Sequence, residues 1–228
     1  SFLWAFSYSV NFKLLLGGFE IKKVKSCRYL GLIIDDELKW SEHIDTIYSC
    51  LLKYVGIFYK LRNKVPAGVM KNVYYAFVHS HILYGIELYA NTFSTYIDRL
   101  IKLNNKILRI LLNQSRFCSV NELYTSFNTL SIPVLHKRQI LMLVHNTLYH
   151  SSSLPDVFAN YFTLNSSVHA YSTRSHSDIH IYRAYTSFGQ RSVTYKGGIL
   201  WNSLPSDLKC IHLSVQFKSK LSHLFQTL

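Results

Sequence analysis

The chain has 228 residues and a mass of 26.5 kDa; 49% are aliphatic or aromatic, too many for a disordered tail and enough to bury the core of one large or two modest domains. Its formal charge of +13 favours a polyanionic partner over a basic one. No apolar run approaches the roughly 20 residues of a membrane span, so no membrane partner is expected.

Residues 1–50 carry six basic and six acidic side chains, residues 51–138 twelve against three, and the remainder seven against three. The excess of cations therefore lies in the middle of the chain. Cys27, Cys50, Cys118 and Cys210 form no Cys-x-x-Cys pair and read as free thiols of a reducing, intracellular compartment. Residues 2–10 are apolar but lack the preceding charge and the cleavage site of a signal peptide. With no methionine at position 1, residues 1–12 are expected to derive from an interrupted reading frame or a neighbouring exon.

In chain order, residues 12–16 and 19–24 flank Gly17-Gly18 and predict a hairpin, decorated by Lys22, Lys23 and Lys25. Residues 28–34 predict a third strand, and the three together a small antiparallel sheet. Gly31, after Tyr29 and Leu30, allows a bend or a close backbone approach. Asp35-Asp36 ends the run. Ser41 is the expected N-cap of a first helix whose apolar stripe is Ile44, Ile47, Tyr48, Leu51, Val55 and Phe58, and which ends near residues 62–64. Pro66 opens a second helix, with Val69, Met70, Val73, Phe77 and Ile82 buried, running to Tyr84-Gly85.

A third helix, capped by Ser94 or Thr95 and running to about Leu112, buries Ile97, Leu100, Ile101, Ile107, Leu108 and Leu111. On it Arg99, Lys102, Lys106 and Arg109 fall on one face away from that stripe. A row of four cations with no acid between them is self-repulsive unless an anion lies along it; a solvated charged face is the plainer alternative. Residues 119–127 and 133–150 predict two more helices, the second beginning with His136, Lys137 and Arg138, and the serines at 151–153 mark a domain boundary. Residues 156–196 lack strong periodicity. After them Gly197-Gly198 predicts a tight turn, Trp201 the anchor of a small core, and Pro205 with Asp207 the start of a helix, with a closing helix to residue 228.

Two sets of residues carry a family resemblance. Tyr29-Leu30-Gly31, Asp35, Leu38, Trp40, His43-Ile44 and Tyr84-Gly85 resemble the last palm motif, the primer grip, and the start of the thumb in reverse transcriptases of non-LTR (LINE-type) retrotransposons. Gly197-x-x-Leu200-Trp201-Asn202-x-Leu204-Pro205, with Thr173-Arg174 and Ser192-x-x-Tyr195 before it, resembles a C-terminal signature of the same family. The likeness covers about residues 14–228.

It implies a mainly α fold with a small N-terminal antiparallel sheet (α+β). Residues 1–36 would be the end of a palm, 37–150 a thumb-like helical bundle, and 151–228 a small C-terminal domain. It also implies part of an RNA-directed DNA polymerase that binds an RNA–DNA template–primer duplex in the cytoplasm and nucleus. Lys23, Lys25, Tyr29, Leu30, Gly31, Arg99, Lys102, Lys106 and Arg109 would contact nucleic acid. Polymerases of this family hold two divalent metals, Mg, on palm carboxylates including a Tyr-x-Asp-Asp-type turn. This chain has no such turn, so the resemblance assigns catalysis to the upstream palm and fingers of the same polyprotein and none to the fragment alone. Asp35-Asp36 stands where the family has a structural turn. His176-x-x-x-His180 with Asp178 is the nearest approach to a metal-ligand spacing and lacks further ligands. A domesticated nucleic-acid-binding protein and a helical protein-interaction module are the alternatives.

Overall fold

Gly17 and Gly18 have φ of 58° and 85°. Positive φ at both central positions is what a two-residue type I′ hairpin turn requires. The computed structural model describes residues 14–158, 160–168 and 175–227. Residues 1–12 and the Thr173-Arg174 pair fall outside these. The glycine turn joins β1 (Leu14–Leu16) to β2 (Phe19–Ile21), with Leu16 opposite Phe19. The device repeats at Leu30 (φ 47°) and Gly31 (φ 85°), joining β3 (Ser26–Tyr29) to β4 (Leu32–Asp35) with Tyr29 opposite Leu32. Residues 28–34 are therefore not one strand but two arms of a hairpin. The two hairpins also share no ladder, so the expected single sheet is a pair of two-stranded ones.

Beyond the second hairpin the backbone enters the left-handed region at Leu38 (φ 52°) and Trp40 (φ 62°). The Asp35 carboxylate holds this turn: it accepts from the backbone N–H of Lys39 at 2.9 Å and of Trp40 at 2.6 Å. Helix α1 (Ser41–Leu61) starts directly after it. Trp40, not Ser41, is the residue at the cap, and no side chain caps the helix end. Its buried stripe is His43, Ile44, Ile47, Leu51 and Phe58.

Pro66 precedes α2 (Ala67–Tyr74), which runs through one π-helical turn (Tyr75–His79) into α3 (Ser80–Leu83); α4 (Ile86–Tyr89) follows Gly85. Met70, Tyr74, Val78 and Ile82 are buried, at intervals of four. In an unbroken α-helix that interval drifts about 40° per step, because each turn takes 3.6 residues. The wider π turn absorbs the drift and keeps the stripe on the core. Phe77, expected inside, is instead 48% exposed, and Val69 is exposed too.

Helix α5 (Ser94–Leu111) buries Leu100, Leu103, Ile107 and Leu108, and between them Asn104 and Asn105. The amides are satisfied by tyrosines: Tyr74 Oη donates to Asn104 Oδ1 (3.0 Å), Asn104 Nδ2 to Tyr124 Oη (3.1 Å), and Tyr124 Oη to Asn105 Oδ1 (2.6 Å). Burial pushes the Tyr124 hydroxyl up to about 12, so it stays a proton donor at neutral pH. Helix α6 (Val120–Phe127) ends at Asn128 in the left-handed region, and α7 (Ile132–Tyr149) follows.

Helix α7 serves two cores. Ile132 and Leu135 join the first with Leu51, Phe58, Tyr89 and Leu100, while Leu141 and Val144 join the second with Phe162, Ile179, Trp201 and Phe217. Short 3₁₀ turns at Ser151–Ser153 and Asp156–Phe158 lead to α8 (Asn165–Val168), α9 (Ser187–Gln190), α10 (Val193–Asn202), α11 (Ser206–Lys209) and α12 (Ser214–Thr227).

Gly197 and Gly198 make no turn; they lie inside α10. A Cβ on Gly197 would stand 2.7 Å from Phe162 Cε1 and 3.0 Å from Val144 Cγ2, so the glycine lets the helix backbone lie against that aromatic ring. Asn202 explains its own place in the signature: its amide donates to the Ile179 carbonyl and accepts from the Ile179 N–H, both at 2.9 Å. The architecture is a mainly α protein with small N-terminal antiparallel strands. All four cysteines are free.

Candidate nucleic-acid interface

The β3–β4 hairpin presents its tip to solvent. Tyr29 is 63% and Leu30 72% exposed, so neither side chain belongs to a core. The tip is nevertheless braced. Tyr84 Oη donates to the Leu30 carbonyl, and a Cβ on Gly31 would meet the Tyr84 ring at 3.5 Å. Gly85, with φ 68°, receives Leu32 so closely that a Cβ there would lie 2.8 Å from Leu32 Cδ2. A left-handed non-glycine residue such as Leu30 costs about 1–3 kcal/mol and persists where its surroundings hold it. Tyr84 and Gly85, at the end of α3, supply that hold.

The other side of the hairpin rests on α1. The Ile33 N–H donates to His43 Nδ1 at 3.4 Å, and the His43 ring lies edge-on to Tyr89 with centroids 5.3 Å apart. Burial lowers the His43 pKa, so the ring is neutral and can accept that bond. Two residues further along α1, Asp45 reaches α5: Arg99 Nη1 donates to Asp45 Oδ1 at 2.7 Å, and the guanidinium lies 4.9 Å above the Tyr48 ring. Hairpin and basic helix are thus both referenced to the first turns of α1.

The four cations of α5 are not equivalent. Arg99 has its counter-charge in Asp45, so the acid that α5 itself lacks on this face comes from the neighbouring helix. Arg109 is half-buried and turned toward the loop after α5, where Nη2 donates to the Cys118 carbonyl at 3.3 Å. Lys102 and Lys106 are exposed, one turn apart, and make no hydrogen bond or ion pair among the described residues. Lys23 and Lys25 are exposed as well, but at the open end of the second hairpin, where the Lys25 carbonyl accepts from the Asp36 N–H. Four residues of strand place Lys25 roughly 13 Å from Tyr29. The structure therefore brings Tyr29, Leu30 and Gly31 together at a braced tip, leaves Lys102 and Lys106 free on α5, and sets Lys23 and Lys25 apart.

Exposed ammonium groups and an exposed aromatic can bind phosphates and stack on a sugar or base without any covalent chemistry. Asp35 is committed to its turn. Asp178 pairs with Lys209 at 3.1 Å, and His180 Nδ1 faces Asn165 Oδ1 at 3.0 Å. Among the described residues no three His, Cys, Asp or Glu side chains gather as a metal site, and no helix is long and apolar enough to cross a membrane. Sequence reasoning missed the bracing role of Tyr84 and the Asp45 counter-charge. The Tyr84-Gly85 pair was visible as a motif; the ion pair left no local signal.

Over 97 residues, 41% of its length, the chain is 28% identical to the RNA-directed DNA polymerase from mobile element jockey of Drosophila melanogaster. It spans 11% of that protein's length. No family model matches the chain, and no solved structure does. The similarity supports a reverse-transcriptase-like region within the chain.

Proposed function

We propose that the chain is a segment of a LINE-type RNA-directed DNA polymerase that holds the template–primer duplex for catalytic carboxylates carried elsewhere in the same polyprotein. The braced, solvent-exposed tip at Tyr29-Leu30-Gly31 carries this reading, together with the similarity to the jockey polymerase. In it the tip positions the primer strand, and Lys102 and Lys106 contact backbone phosphates, contributing affinity without sequence preference. Arg99 and Arg109 flank that contact from either end of the helix face, and Lys23 and Lys25 meet more distant phosphates. The two divalent metals of the reaction would stabilise the attacking and leaving oxygens on the upstream palm. The workplace is the cytoplasm and nucleus, where template RNA and target DNA are found.

A gel-shift titration with an RNA–DNA duplex tests the reading. Each lysine withdrawn from a phosphate should flatten the log affinity–log salt slope by about 0.9. The Lys102→Glu/Lys106→Glu variant should therefore bind at least about tenfold more weakly at low salt, with the slope reduced by roughly 2. Unchanged affinity and slope would remove the α5 face from the proposal. One observation favours a second reading, a protein-interaction module: the β1–β2 hairpin exposes Leu15, Leu16 and Phe19, the last at 81%. An apolar ribbon of that kind suits a further polypeptide. Salt-insensitive capture of a protein, with no duplex binding, would favour it.

A further inference from the structure

A cavity of about 290 Å³ lies where α4, α5, α7, α9 and α10 meet, apart from the hairpin tip and the exposed lysines of α5. Its walls are aliphatic: Ile97 from α5, Ile132 and Ile140 from α7, Ile199 and Leu200 from α10. Five side chains with polar groups break this lining, Gln190 and Tyr195 together with one histidine and two lysines. His136 is 8% exposed, and its Nε2 is buried with no hydrogen-bond partner. Lys137 stands exposed at the rim, and Lys196 is half-buried beside His136. No acidic side chain lines the cavity among the described residues.

The electrostatics point to an anion. Burial lowers the Lys196 pKa, with Arg191 as a second, repulsive cause. Burial, then Lys196 and Lys137, hold His136 down at about 4, so it is neutral. Cations that depress one another's charge, with no carboxylate among them, leave a local excess that an anionic group relieves. The orphaned imidazole narrows the choice. An alkyl chain filling the slot would leave Nε2 without a partner. A nucleobase fits the same aliphatic cavity and brings donors and acceptors on its edge, and Tyr195 adds an aromatic ring to the lining.

We propose that this cavity binds an unpaired nucleotide, its base between Ile140 and Ile199 with an edge on His136 Nε2, and its phosphate on Lys137 and Lys196. This deepens the nucleic-acid reading and rests on it: beside the duplex grip at the tip and α5 lies a receptor for single-stranded overhang. The site takes one base at a time, with Lys137 at the rim and Lys196 half-buried beside His136.

The test is a titration of the full chain with adenosine 5′-monophosphate, followed by the His136 imidazole resonances. Saturable shifts are expected, with ribose 5-phosphate and octanoate binding at least about tenfold more weakly. Ile199→Trp, which fills the mouth from a partly exposed position, should abolish the shifts, and Lys196→Gln should weaken binding about tenfold. Lys102→Glu/Lys106→Glu should leave it unchanged. No saturable shift, octanoate binding as tight as the nucleotide, or an Ile199→Trp variant that binds like the parent would each overturn the proposal. Duplex binding without nucleotide binding refutes the cavity and spares the polymerase reading. Nucleotide binding without duplex binding does the reverse.

Discussion

Replacing Gly85 with alanine should detach the hairpin tip from its brace. Two costs add. Alanine at φ 68° leaves the region natural to an L-residue, at roughly 1–2 kcal/mol. Its Cβ would also lie 2.8 Å from Leu32 Cδ2 and 3.2 Å from Cδ1, and overpacking a filled core typically costs about 1–3 kcal/mol. Against these, alanine stiffens the unfolded chain, a gain of about 0.4–1 kcal/mol. The net loss is about 2–3 kcal/mol, a fall in melting temperature of roughly 4–12 °C for a chain of this size. A double-mutant cycle isolates the contact. Leu32→Ala removes the atoms that the new Cβ would strike, so the double variant should recover about 1–2 kcal/mol relative to the sum of the single losses. Thermal and urea unfolding of the four proteins measure the cycle. An unchanged Gly85→Ala midpoint, or strictly additive losses, would refute the close approach of Leu32 to Gly85 as the joint between hairpin and helices.

Tyr84→Phe removes the hydroxyl that the Leu30 carbonyl accepts from, and should cost about 1 kcal/mol of stability; a larger proportional loss in duplex affinity is expected, and an unaltered gel shift would separate the tip from binding. Gly197→Ala should destabilise by about 1 kcal/mol, the clash with the Phe162 ring outweighing the gain of roughly 1 kcal/mol in helix propensity. Gly198→Ala, whose nearest neighbour is the Ile181 Cγ1 at 3.0 Å, should be close to neutral, and equal urea midpoints for the two variants would contradict the packing described for α10. Acid should weaken the fold through His79 and His136, both held near 4 by burial against an ordinary 6.5. Their folded pKa values are depressed, so the stability they contribute is complete above pH 6.5 and declines as pH falls toward 4, by up to about 3 kcal/mol per site. Urea midpoints that agree between pH 7 and pH 5 would refute this.

Local chemistry wrote the hairpins and the helices. Gly17-Gly18 and Leu30-Gly31 supply the positive φ of a two-residue turn, and the 3.6-residue rhythm of α1 and α5 marks their buried faces, because both signals act between near neighbours. The same rhythm misplaced Phe77, since a π turn resets the register to suit a core that spacing alone does not contain. Asn104 and Asn105 look like surface residues until Tyr74 and Tyr124 arrive from other helices to satisfy them. The cationic face of α5 was legible, yet which of its charges stay free was not: Asp45, which neutralises Arg99, is 54 residues away. Gly197 read as a turn because sequence records a missing side chain, and only the ring of Phe162 shows that the absence makes room. What the sequence determined by itself was the first hairpin, the long helices and the sign of the charge, whereas the second hairpin and the course of α10 through its glycines were not legible in it. Tertiary structure decided partnership, because an ion pair, a buried amide or a cavity wall is made by groups that the chain brings together only on folding.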